Sequence, residues 1–333
     1  MILPNICLEA AMYKRLALFV VWILPLFIFS GCGKAAFTIS EIDYDHEAES
    51  SETYESYSGT GTIETESDGA YYVLVGYEKD GGDQYTEDTE FPVIVIDGEG
   101  ELTTYDSAYY LDNGEELEEP EYTFEELGYL KFKPARDGDF EIEDFEIEMN
   151  SSEYYKDFSG SGTITTDLKG IYRVLVQYER DGGDPDDGFS EGYFVCDVVD
   201  GEGGIETFDY FDAAASFDDP EYEFEIIGYI KFNVNGKNQF EVSDFDMDEE
   251  QYDYWTEYHG EGQIETSMKG SYLLLLEIDK SGGDHYTRDG YYAVLVTDGE
   301  GVITTDDTRY EDDFDFEEPE YEFEILGYAK FKN

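Results

Sequence analysis

From Phe37 onward, apolar and polar residues alternate with a period of two, the spacing that gives a strand one buried and one solvated face. The clearest stretch, EYEFEIIGYIKF from Glu221, puts Tyr222, Phe224, Ile226, Ile230 and Phe232 on one parity and Glu221, Glu223, Glu225 and Lys231 on the other. Gly228 interrupts it, which predicts a bulge or a close backbone approach. In YYVLVGYE, Tyr71, Val73, Val75 and Tyr77 form one face, and Tyr72, Leu74, Gly76 and Glu78 form the other. The run from Asp97 to Gly100 separates two apolar segments and predicts a hairpin turn, with glycine supplying positive φ. None of these segments has helical periodicity.

The same blocks occur three times in one order. YSGTGTIET from Tyr57 returns as FSGSGTITT from Phe158 and YHGEGQIET from Tyr258. KDGGD, RDGGD and KSGGD follow the second strand block, and IDGEG, VDGEG and TDGEG follow the third. Each copy closes on PEY and a strand ending in LGYLKF, IGYIKF or LGYAKF. A period of roughly 100 residues is domain-sized, far above that of a solenoid repeat. The predicted fold class is therefore all-β: three tandem antiparallel β-sandwich domains, jelly-roll or Ig-like, over residues 37–133, 139–233 and 240–333. The linkers, Lys133–Asp139 and Val234–Gln239, could equally be hairpin turns, and they are short enough to predict a fairly stiff rod of self-sufficient copies.

G-x-G before a strand, G-x-Y opening the next and D-G-x-G in a late hairpin together resemble jelly-roll modules of secreted bacterial proteins, of the pre-peptidase C-terminal type. The resemblance covers most of each copy and implies a non-catalytic accessory or binding module. A second resemblance lies at the N-terminus. Lys14 and Arg15 precede the apolar stretch Leu16–Phe29, which is signal-peptide length and shorter than the about 20 residues a spanning helix needs. It runs into Phe29-Ser30-Gly31-Cys32, which resembles the lipobox of bacterial lipoproteins, with Phe29 in place of the usual Leu. The resemblance implies a signal peptide over 1–31 with Met12 as the better start, lipidation and a new N-terminus at Cys32, and an anchor and linker over 32–36. The expected localisation is the extracytoplasmic face of the cell membrane.

Charge adds to this. The chain has 83 acidic and 19 basic residues, a formal net charge of −64. Such a field excludes non-specific nucleic-acid binding and repels anionic headgroups, so a lipid rather than a basic patch must hold the protein to a membrane. Aromatic residues at 17%, set at strand spacing, exclude a disordered acidic tail. High-salt adaptation and divalent-cation binding are the two explanations left open. Calcium is the candidate cofactor, because it takes six to eight oxygens and extracellular modules bind it at low affinity. Its candidate ligands are Asp80, Asp83, Asp181, Asp184 and Asp284 in the GGD motifs, and Asp97/Glu99, Asp200/Glu202 and Asp298/Glu300 in the DGEG motifs. The competing reading is that Asp and Gly simply form good turns.

Catalytic chemistry has little support. His46, His259 and His285 occupy unmatched positions, and His259 stands where Ser58 and Ser159 stand, as at a tolerant surface site. No nucleophile elbow, phosphate loop or Cys/His zinc spacing is present. Cys196 aligns with Val93 and Val294, as a small buried hydrophobe would. Tyr54, Tyr155 and Trp255 share one column and are the candidate ligand-face aromatics, because rings beside carboxylates suit sugars. The expectation is a non-enzymatic surface module for binding, adhesion or spacing, in contact with polysaccharide or a protein ligand. A substrate-capturing lipoprotein of a transport or degradation system, or a structural stalk, is the alternative.

Overall fold

The computed structural model describes residues 35–48, 54–82, 89–109, 119–151, 155–183, 190–212, 218–252, 255–283, 290–310 and 318–333. The leader and Cys32 lie outside them. Each copy is a sandwich of two antiparallel sheets. In the second, an outer sheet runs in the order Glu202–Asp212, Tyr155–Thr165, Glu141–Ser151. The inner sheet runs Glu191–Val198, Tyr172–Asp181, Glu221–Lys231. The third copy repeats this order. The first does too, except that its opening strand is split into Phe37–Ile39 and Asp43–Ala48, both paired with Tyr54–Thr65.

Between the two sheets lies an apolar layer. In the second copy Phe140, Ile164 and Ile205 of the outer sheet meet Val174, Val176, Val198 and Cys196 of the inner one. A three-ring contact recurs at one end: Phe37, Tyr71 and Tyr129; Phe140, Tyr172 and Tyr229; Phe240, Tyr272 and Tyr328, all with centroids 5.2–5.9 Å apart. Aromatic edges packed on faces in this way add to the area they bury.

Each inner sheet is buried on its other face as well, and that decides the architecture. Tyr72, Leu74, Leu130 and Phe132 of the first copy, Leu175, Ile230 and Phe232 of the second, and Leu273, Leu275 and Phe331 of the third form one central core. Strand pairing closes the same circle. Lys133 and Pro134, just after the first copy, pair with Tyr229 and Gly228 of the second. Asn233, just after the second, exchanges backbone hydrogen bonds with Tyr328 of the third at 2.8 and 3.2 Å. Lys332, at the end of the third, does so with Tyr129 of the first at 3.0 and 2.9 Å. Ala36–Asn333 is accordingly one compact unit, and its copies contact one another in cyclic order. The rod expected from the short linkers does not form. A sheet with apolar residues on both faces needs cover on both, and the chain after each closing strand goes on to pair with the closing strand of the next copy.

The closing strand is where the alternation misleads. Leu175 pairs with Gly228 and Val176 with Ile226, so Ile227 is an extra residue in the ladder. That bulge exchanges the faces: Ile226 and Tyr229 point into the sandwich, while Ile230 and Phe232 point into the central core. The strand has no single dry face. Gly228 serves both roles its position suggests, since a Cβ there would lie 2.8 Å from the Lys133 carbonyl and 3.2 Å from the Phe132 Cβ. Gly128 and Gly327 hold the same relation to Phe331 and Phe232.

Candidate functional site

A cleft of about 1320 Å³ lies on the first copy and reaches the second. Its apolar wall comes from Tyr77, Phe91 and Tyr122, whose rings pack with centroids 5.4–5.8 Å apart. Tyr105, 57% exposed, and Tyr193 of the second copy, 42% exposed, stand at its rim. Tyr77, Phe91 and Tyr105 lie on three strands of the first sandwich, and cyclic packing brings Tyr193 across to them. Asp97, Glu99 and Glu101 supply carboxylates to the same cleft. Burial, then the nearby Asp97, Glu191 and Glu225 carboxylates, push the Tyr193 phenol above its ordinary value, so it is a hydrogen-bond donor at neutral pH. Tyr291 of the third copy is likewise raised, with Asp200 among its causes. Each DGEG turn of the first two copies thus lies within electrostatic reach of a tyrosine of the next copy.

Asp97, Asp200 and Asp298 adopt φ of 52°, 52° and 51°, each followed by a glycine near 96–99°. Ile96 and Glu99 exchange backbone hydrogen bonds across the first turn at 2.9 and 3.1 Å, and the other two turns repeat this. These are two-residue hairpins with positive φ at both central positions, for which Asp-Gly is a preferred pair. Not only the glycines but the aspartates too are left-handed. Glu99, Glu202 and Glu300 begin the following strands and are exposed. Asp80 and Asp181 end strands and are exposed, whereas Asp83, Asp184 and Asp284 lie outside the described residues. Among the described residues, no carboxylate of these turns belongs to a convergent set of three ligand groups.

Of the aromatic column, Trp255 alone has a described side chain. The Tyr54 and Tyr155 side chains lie outside the described set, and Trp255 is half-buried against Tyr252 with ring centroids 5.0 Å apart. Cys196 is buried at 6% exposure, its Sγ 3.0 Å from the Gly204 carbonyl. Burial first, then the Asp197 charge, push its thiol up to about 12, which favours the neutral thiol over the thiolate.

A polar cluster repeats beneath the GG turns that the alternation did not reveal. Lys79 Nζ donates to Asp106 Oδ1 at 2.7 Å, and Tyr122 donates to the other oxygen. Arg180, Asp209 and Tyr222 repeat this in the second copy; Lys280, Asp307 and Tyr321 repeat it in the third, with Lys280 Nζ at 2.5 Å. Side-chain exposures of 4% and 1% for Lys79 and Asp106, and 3% and 0% for Lys280 and Asp307, place the pairs in the interior. Each set ties an outer strand to two inner ones. A signal was present in the sequence: every copy spends one of only 19 cations just before its glycine pair, and every copy keeps Tyr after PE. A further buried ion pair lies within the second copy where it meets the first: Arg173 donates to Asp197 at 2.9 and 2.5 Å, and its Nη1 lies 3.4 Å from the Tyr72 hydroxyl of the first copy.

No family model matches the chain, and comparison with curated proteins gives no match; the chain is an all-β protein of antiparallel sandwich sheets.

Proposed function

We propose that this is a non-enzymatic, lipid-anchored surface protein whose first two copies hold a polysaccharide chain in the cleft between them. The observation that supports this reading is the cleft itself, where Tyr105 and Tyr193 stand exposed beside Asp97, Glu99 and Glu101. Sugar rings offer an apolar face to stack on such phenyl groups and hydroxyls that donate to carboxylates. A strongly acidic wall at the same time disfavours anionic ligands, so the occupant is a neutral or cationic glycan. Affinity electrophoresis through gels cast with soluble neutral polysaccharides tests the reading. At least one should retard the protein, and Tyr105→Ala or Tyr193→Ala should weaken that binding by about tenfold, the scale of an aromatic anchor. Running the gels with calcium and then magnesium tells a cation-bridged contact through Asp97 and Glu99 from a direct one. No retardation across neutral and amino-sugar polymers would remove the proposal.

The anchor is a separate part of the reading and rests on the leader and on Cys32. Cys32→Ser is expected to release the protein from the membrane fraction, since a single thioether-linked lipid would be its attachment. A variant that still sediments with membranes as the parent does would mean that something else holds it.

A further inference from the structure

Strand pairing in the third copy brings four side chains to one outward face that are scattered in sequence. Glu250 lies opposite Glu257, and Asp306 lies opposite His259. Glu257 and His259 are two apart on one strand and so point the same way. The ligand atoms of Glu250, Glu257 and His259 lie within 4.8 Å of one another.

We propose that these three side chains form a binding site for a divalent transition cation of the zinc class, with His259 Nε2 and one oxygen each of Glu257 and Glu250 as ligands. His259 Nε2 lies 3.5 Å from Glu257 Oε2. Two ligand atoms bound tetrahedrally to zinc stand about 3.4 Å apart, given bonds near 2.0–2.1 Å. The two groups keep nearly that spacing.

What distinguishes this from a chance meeting of surface acids is that each ligand is held by a further side chain. Asp306 Oδ1 sits 2.6 Å from His259 Nδ1, and a carboxylate there favours, in the neutral ring, the tautomer with its proton on Nδ1 and its Nε2 lone pair toward Glu257. Trp255 Nε1 donates to Glu257 Oε1 at 2.9 Å, leaving Oε2 for the metal. The Tyr252 hydroxyl donates to Glu250 Oε2 at 2.7 Å. A carboxylate behind a ligating histidine fixes its tautomer and raises its basicity. The stacked Tyr252 and Trp255 rings hold both glutamates from one side. Imidazole with two carboxylates suits zinc, copper or nickel; calcium, which prefers six to eight oxygens, is poorly served.

The site belongs to the third copy alone. The positions of His259 are Ser58 and Ser159 in the other copies, and those of Glu257 are Ser56 and Asp157. Where Asp306 supports the histidine, the others carry Tyr105 and Phe208. One scaffold position thus carries a ring at the first copy's cleft and a metal-supporting carboxylate in the third.

Calorimetric titration of the full chain with zinc chloride, in a buffer containing millimolar magnesium to occupy the diffuse acidic field, tests the proposal. One zinc per chain should bind despite the magnesium. His259→Ala should abolish that step, and Asp306→Asn should weaken it by about 10–100-fold, as loss of an outer partner does. Both substituted side chains are on the surface, and unchanged circular dichroism and melting of the metal-free variants would confirm that they fold. Equal zinc binding by His259→Ala and the parent, or zinc displaced entirely by magnesium, would overturn it and leave an acidic surface with a histidine on it.

Discussion

Phe331→Ala is expected to destabilise the chain by about 3–5 kcal/mol, while Phe208→Ala changes stability by no more than about 0.5 kcal/mol. Both remove the same ring. Phe331 is 2% exposed in the central core with Phe132 and Phe232, two residues before Asn333. Its Cβ sits at the point where the first copy's Gly128 has no side chain, and the next residue, Lys332, makes the paired hydrogen bonds to Tyr129. Truncating it opens a cavity where the third copy meets the first, at the closure of the circle. Phe208 is 66% exposed on an outer strand and is the matched control. Urea unfolding midpoints of the two variants measure the contrast. Equal, small effects would mean that the third copy does not close on the first.

Asp307→Asn is the second large effect, again about 3–5 kcal/mol, because it leaves the Lys280 ammonium buried without a counter-charge. The pair is not worth that much in itself. Replacing both partners, Lys280→Met with Asp307→Leu, should recover most of the loss, since an apolar pair of similar volume needs no hydration. A double-mutant cycle separates the two cases, and a double variant as unstable as Asp307→Asn would refute this account.

The phenols of these clusters add a pH dependence. Burial and then the hydrogen bond to Asp106 or Asp209 push Tyr122 and Tyr222 well above the ordinary phenol value. Their folded pKa values are raised, so their contribution is complete below about pH 10, the unfolded value, and is lost as pH rises toward the folded ones. Stability should therefore fall as pH rises above about 10, and the combined Tyr122→Phe, Tyr222→Phe chain should have a shallower slope there. An unchanged slope would show that the alkaline loss comes from elsewhere.

Much of the fold is legible in the chain because it is local. Period-two alternation marks the strands, Asp-Gly between apolar runs marks the hairpins, and block repetition marks three equivalent sandwiches. Cys196 could be placed inside from its alignment with Val93 and Val294. Even Gly228 announced a bulge or a close approach, though not that the bulge turns Ile230 and Phe232 away from the sandwich.

What only the tertiary structure decided are the partners. Alternation reports that Leu74, Leu175 and Leu275 face away from their own sandwiches, but not that they face one another. Whether a residue such as Asn233 or Lys332 ends a domain or begins the edge of the next depends on an approach between segments 95 or more residues apart in the chain, as in Asn233 with Tyr328. Lys79 meets Asp106 across 27 residues, and His259 meets Asp306 across 47. In a chain with 83 acidic residues, composition alone cannot single out the carboxylate that will be buried beside a cation or set behind a histidine. Strand register makes that selection, because it fixes which side chains stand opposite each other on one face.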